Sequence, residues 1–116
     1  MIFKDTKYLI LKQEWFDMIF HDDKREEYRE ITPYWIRRLV DNYKDFDETQ
    51  PIQRPKGITK ICFVNGYQKD ARRFTIEWKD IKIRPPKPRW CPAGTDLAKP
   101  LFVLELGEIL DCNFTA

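Results

Sequence analysis

The chain contains no serine and a single histidine, His21. A Ser-His-Asp triad is therefore impossible, and a Cys-His pair would have to use His21. A metal site built on two histidines of one chain is excluded as well. The four glycines, Gly57, Gly66, Gly94 and Gly107, are scattered, so no glycine-rich phosphate loop can form. The three cysteines, Cys62, Cys91 and Cys112, are odd in number, far apart and without a CxxC pair. They indicate neither a zinc site nor a disulfide framework, and a reducing cytoplasmic setting is the natural reading. No apolar run approaches the ~20 residues of a membrane span. The start, Met1-Ile2-Phe3-Lys4-Asp5-Thr6-Lys7, lacks the long apolar stretch of a secretory signal. No metal or cofactor is expected, and any catalysis rests on Lys, Asp, Glu, Tyr, Thr or Cys.

What is present suits a folded domain. A length of 116 residues fits one domain over 1–116, and 42% hydrophobic with 15% aromatic residues supply a core. The net charge of +2 hides an uneven distribution. Residues 51–90 carry eleven basic and three acidic side chains, whereas residues 13–50 carry six basic and eleven acidic ones. A basic half of this kind is either a phosphate-facing surface or an ordinary solvated one whose charges interleave with the acidic half.

Periodicity places the elements. Tyr8-Leu9-Ile10-Leu11 reads as a short buried strand. Residues 13–21 read as a helix, with Trp15, Phe16, Ile19 and Phe20 at helical spacing and Trp15 in the core. Residues 24–30 run extended. Alternation there sends Lys24, Glu26 and Tyr28 to one face, and Arg25, Glu27 and Arg29 to the other. Thr32 can cap a second helix with Pro33 at its first position. That helix is expected to reach Tyr43, with Trp35, Ile36, Leu39, Val40 and Tyr43 inward and Tyr34, Arg37, Arg38 and Asp41 outward. After a polar linker over 44–57, strands are expected near 58–67 and 73–84, joined by a turn at 68–71. Phe74, Ile76 and Trp78 alternate with Thr75, Glu77 and Lys79, a half-buried pattern. Residues 85–100 are proline-rich and irregular, and a last strand runs from Leu101 toward Leu110. The expected fold class is α+β: a small, curved, mostly antiparallel barrel-like sheet with helices covering one opening.

The densest signal is Asp22-Asp23-Lys24-Arg25-Glu26-Glu27-Tyr28-Arg29, followed by Thr32-Pro33-Tyr34-Trp35. In this order, after a strand and an amphipathic helix, it resembles the ASCH domain family of the PUA-like β-barrels. The hallmark there is G-x-K-x-x-E-x-R. Lys24, Glu27 and Arg29 match it, and Asp22 stands in place of the glycine. The continuation is similar to a bacterial and phage branch. The resemblance implies a cleft beside the barrel that takes RNA or a nucleotide. Some relatives hydrolyse nucleoside amides or cleave RNA. The amidohydrolase branch places a threonine three residues after the lysine. Here Glu27 stands there, and the nearest threonine, Thr32, reads as a helix cap.

The residues also speak for themselves. Lys24 offers a point charge for phosphate or, if desolvated, a base. Arg29 offers a planar fork for a phosphate or a base edge. Glu27 could accept from exocyclic amines or hold Arg29. Tyr34, Tyr67 and Trp90 are aromatic faces for an unstacked base. Arg37 and Arg38, or Arg72 and Arg73, could extend a phosphate track. A structural role stands beside each: an ion-pair network for Lys24, Glu27 and Arg29, a helix staple for Tyr34, a loop anchor for Trp90, a solvated turn for Arg72 and Arg73. Three functions remain open. One is a binding module for RNA or a modified nucleotide. Another is an enzyme on nucleosides or RNA with Lys24 and Glu27 as catalytic groups. The last is a protein-interaction adaptor of phage or mobile-element origin.

Overall fold

The computed structural model describes residues 4–115, so Met1, Ile2 and Phe3 of the N-terminal segment lie outside the described residues. Strand β1 (Thr6–Ile10) leads into helix α1 (Gln13–Phe20). The apolar stripe of α1 buries Phe16 and Ile19. The chain then reverses through Asp22, whose φ of 66° lies in the left-handed region. The N–H groups of Asp23 and Lys24 both donate to the Met18 carbonyl, at 2.8 and 3.1 Å. This tight exit sets the start of β2 (Glu26–Arg29).

Helix α2 (Pro33–Leu39) begins as expected, with the Thr32 hydroxyl accepting from the Trp35 N–H at 3.3 Å. It ends four residues earlier than expected. Val40 is extended and Asn42 is left-handed at φ 52°, so the backbone leaves the helix before Tyr43. Tyr43 therefore lies in a short 3₁₀ turn (Tyr43–Asp45) and is exposed rather than inward. Strands β3 (Lys60–Val64), β4 (Arg73–Arg84) and β5 (Leu101–Cys112) complete the sheet. Residues 85–100 are irregular apart from a 3₁₀ turn at Pro88–Trp90.

The strand order is β1-β3-β4-β5-β2. β1 and β3 run parallel and the other neighbours antiparallel, so the sheet is mixed. Register shifts between Thr75 and Asp80 insert bulges into the long β4–β5 pair and curl the sheet into a half-barrel. At Gly107 on β5 a Cβ would fall 1.9 Å from the Glu77 carboxylate, so a larger residue there would make that exposed side chain move. Phe16, Phe63, Phe74, Trp78 and Phe102 fill the concave side, each at most 1% exposed. Such side chains contribute roughly 1.5–3 kcal/mol each by burial. The architecture is α+β with a barrel-like curl and two helices, as composition and periodicity suggested.

The half-barrel leaves β1 and β2 as its two free edges. Arg29 on β2 reaches across this seam and donates from Nη2 to the Ile10 carbonyl on β1 at 3.1 Å. The candidate site lies at the seam.

Candidate functional site

β2 pairs with β5 from Glu26 to Arg29, and this fixes the direction of its side chains. On one face the Tyr28 hydroxyl donates to Glu26 at 2.7 Å, and Glu26 is ion-paired with Arg84. On the other, Glu27 and Arg29 meet at 2.5 Å. Simple alternation would put Lys24 with Glu26 and Tyr28. That expectation holds only in part: Lys24 lies before the strand, in the segment that follows the left-handed turn, and its ammonium stands 5.6 Å from the Tyr28 ring, yet its hydrogen bond is not made on that face. Its Nζ instead donates to Glu27 at 2.6 Å. One carboxylate is thus held by two cations, with the Lys24 and Glu27 side chains 2% and 5% exposed. The Trp15 ring lies 4.7 Å from the Lys24 ammonium and the Trp35 ring 5.1 Å from the Arg29 guanidinium.

These contacts decide the chemistry of Glu27. Burial pushes its carboxyl up, but Lys24 and then Arg29 outweigh burial and hold it below the usual carboxylate value. It is an ionised anchor and a poor proton acceptor at neutral pH. Arg29 is also largely occupied. Besides Glu27 and Ile10 it donates to the Tyr28 carbonyl at 2.9 Å, so it does not offer a ligand its whole fork. The three side chains together carry one net positive charge.

Two clefts meet here. A cavity of about 440 Å³ is lined by Lys24, Glu27, Tyr28, Trp90 and Lys99, with Trp15 at its edge. A larger groove of about 750 Å³ runs along β1 and α2, past Lys7, Lys12, Tyr34, Arg38 and Tyr67. Trp15, Glu27, Arg29 and Pro92 line both. The cavity is balanced in charge: Lys24, Arg29 and Lys99 face Glu27, Glu30 and Asp96. The groove is basic, with Glu27 the only carboxylate among the described residues that line it.

The loop over 85–100 forms the far wall of the cavity and is tied down at two points. The Lys87 N–H donates to the Tyr28 hydroxyl at 3.1 Å. Trp90 donates from Nε1 to the Asp23 carbonyl at 2.8 Å and is 5% exposed. Burial also raises the Tyr28 phenol above its ordinary value, so it remains a donor to Glu26. Cys91 lines the cavity too, and burial pushes its thiol up despite nearby Lys24, so it is no ready thiolate nucleophile.

The expected site residues therefore divide. Lys24, Glu27 and Arg29 come together. Tyr34, Arg38 and Tyr67 line the groove, with Tyr34 55% and Tyr67 90% exposed. Trp90 contributes a wall of the cavity and anchors its loop, so its ring is not an open platform. Arg37 is exposed, lines neither cleft, and stacks 5.7 Å from the Tyr43 ring. Arg72 is ion-paired with Asp17 at 3.0 Å and lies over Phe16 and Phe114. Arg73, at the start of β4, accompanies it outside both clefts. Within the basic half, Lys60, Arg72, Lys82 and Arg84 are paired with carboxylates, but only Arg72 and Arg84 find theirs, Asp17 and Glu26, in the acidic half.

Sequence reasoning assigned Trp15 to the core, against which it does pack while partly buried, and passed over Lys7, Lys12, Glu30, Asp96 and Lys99. Trp15 sits one position before the buried Phe16, at the edge of the α1 stripe, and it lines both clefts. Lys7 and Lys12 flank the apolar strand, and that flanking was the available signal. Among the described residues no helix is long and apolar enough to cross a membrane, and no group of three or more His, Cys, Asp or Glu is placed to hold a metal ion. No protein-family model, curated protein or solved structure matches the chain.

Proposed function

We propose that this chain is a noncatalytic binding module for single-stranded RNA or a modified nucleotide, on the plan of the PUA-like ASCH domains that its motif resembles. One observation carries the reading: the Lys24–Glu27–Arg29 network sits where a charge-balanced, aromatic cavity opens into a basic groove. A cavity of about 440 Å³ falls within the range of small-ligand pockets. Trp15 and Tyr28 offer aromatic surface to a base, and the groove offers cations to its phosphates. The depressed Glu27 carboxyl favours holding over proton transfer. The left-handed turn at Asp22, where the resembled motif has glycine, supports the family likeness. Three free cysteines are in keeping with a reducing, cytoplasmic setting.

Filter binding of short single-stranded RNAs across a salt series tests this. Affinity should fall as salt rises and should drop in Lys24→Ala and Arg29→Ala, with folding checked by thermal melting. Affinity indifferent to salt, or untouched in both folded variants, removes the idea.

A second reading is favoured by the burial of Lys24, 3% exposed beside Glu27. In it the chain processes a nucleoside or RNA, with Lys24 as base or nucleophile. It requires turnover of an acylated nucleoside or of RNA that Lys24→Ala abolishes. Intact substrate after prolonged incubation at high enzyme concentration eliminates it.

A further inference from the structure

We infer that Lys7, Lys12 and Arg38 form a phosphate subsite in the groove beside β1, so that the ligand is an oligonucleotide strand passing the Lys24–Arg29 cavity rather than a lone nucleoside. This rests on the binding reading above and specifies its ligand.

The argument begins with counterions. Some exposed and half-exposed cations elsewhere have carboxylates, as Lys60 has Asp5, Arg72 has Asp17 and Lys82 has Glu105, whereas others such as Arg37 and Lys79 stand singly outside both clefts; the groove differs in gathering several unpaired cations in one place. Lys7, Lys12 and Arg38 have none among the described residues. The one carboxylate lining their groove, Glu27, is already held by Lys24 and Arg29. The groove therefore gathers positive charge without an internal anion to balance it.

Arg38 is held in position rather than loose. Its guanidinium lies 3.5 Å from the Tyr34 ring centroid and donates from Nη1 to the Tyr34 carbonyl at 3.0 Å. Its remaining donors have no protein partner among the described residues and stay available to a ligand. Lys7, half-buried, lines the same groove. Burial, and then repulsion from Arg38, lower the Lys7 ammonium below its ordinary value. Like charges that share a groove are relieved by an anion between them. Phosphate fits, since Arg38 supplies directional donors and the lysines supply point charges.

Continuity with the cavity sets the ligand's length. The groove and the cavity share Trp15, Glu27, Arg29 and Pro92. Arg29 is mostly occupied by protein acceptors, which leaves the groove cations as the available phosphate ligands. A unit seated in the cavity would send its backbone along the groove, past the exposed faces of Tyr34 and Tyr67.

The test compares Lys7→Gln/Arg38→Gln with the charge-matched control Lys79→Gln/Lys82→Gln, which lies outside both clefts. The probe is a mixed-sequence single-stranded RNA 8-mer, measured from 50 to 200 mM salt. Loss of two phosphate contacts should reduce the slope of log affinity against log salt by about 1.4. The advantage of the unmodified chain over the groove variant should then shrink about sevenfold across that range. The control should keep its salt slope to within about 0.5. If the groove variant binds like the control, the subsite is overturned and the binding reading stands. If the unmodified chain binds no RNA at all, both are overturned.

Discussion

Replacing Glu27 by alanine removes the only carboxylate in contact with Lys24 among the described residues, and the Lys24 side chain is 2% exposed. The ammonium is then left buried beside the Trp15 ring, and the partly buried Arg29 loses its 2.5 Å partner. Breaking a buried ion pair from one side costs about 3–5 kcal/mol, because the orphaned charge remains desolvated. That is a large share of the roughly 5–15 kcal/mol that holds a domain of this size together. Urea unfolding followed by tryptophan fluorescence should show the midpoint falling with little change in slope. Lys24→Met/Glu27→Gln removes the orphaned charge while keeping most of the volume. It should recover at least about half of the loss, a coupling that a double-mutant cycle measures. A Glu27→Ala chain within about 1 kcal/mol of the unmodified one would refute the reasoning. It would mean that water reaches the pair and that its burial carries little energy.

The depressed Glu27 carboxyl makes stability depend on acid. A group with a lowered folded value stabilises fully above its ordinary value of 4.5, and that contribution is lost as pH falls through the lower folded value. Melting temperature should therefore drop below about pH 4.5 more steeply in the unmodified chain than in Glu27→Gln; parallel curves count against it. Tyr28→Phe removes the hydroxyl that donates to Glu26 and accepts from the Lys87 N–H. It should cost about 0.5–1.5 kcal/mol and speed amide exchange around Lys87, and unchanged exchange would show that Trp90 alone fixes the loop. Trp15→Ala should weaken RNA binding by about 1–3 kcal/mol if the indole stacks on a base, whereas an effect on melting alone would assign Trp15 to packing.

Much of this molecule could be read before its fold was known. Phe16 and Ile19, spaced three apart, marked the buried stripe of α1, and Thr32-Pro33 marked the start of α2. Phe74-Ile76-Trp78 marked the inward face of β4. These are local signals, carried by periods of 3.6 or 2 and by the chemistry of a cap. The end of α2 was harder. Val40-Asp41-Asn42 carries weak stop signals, and the apolar spacing continues formally to Tyr43. At the site, Lys24, Glu27 and Arg29 stood out as a cluster, but strand alternation, which put Lys24 with Tyr28, missed its bond to Glu27. The cause is the left-handed turn at Asp22, which a non-glycine residue does not announce. The groove was beyond local reading altogether. It depends on β1 and β2 becoming the two free edges of one sheet, a consequence of the strand order β1-β3-β4-β5-β2. That order brings Lys7 on β1 and Arg38 on α2 into the same groove. Arg72 and Arg73, adjacent in sequence and conspicuous for it, fell outside both clefts, Arg72 beside Asp17 and the phenylalanines and Arg73 bonded through its backbone to Asn113.

An NMR titration of the isotope-labelled chain with the single-stranded RNA 8-mer tests the cleft most directly. Shifts should concentrate on the Trp15 indole, Arg29, Tyr34 and Arg38, at the seam between β1 and β2, and should weaken as salt is raised. Shifts confined to the opposite side, around Arg72, Lys79 and Lys82, or no shifts at saturating RNA, would mean that this seam does not receive a nucleic acid.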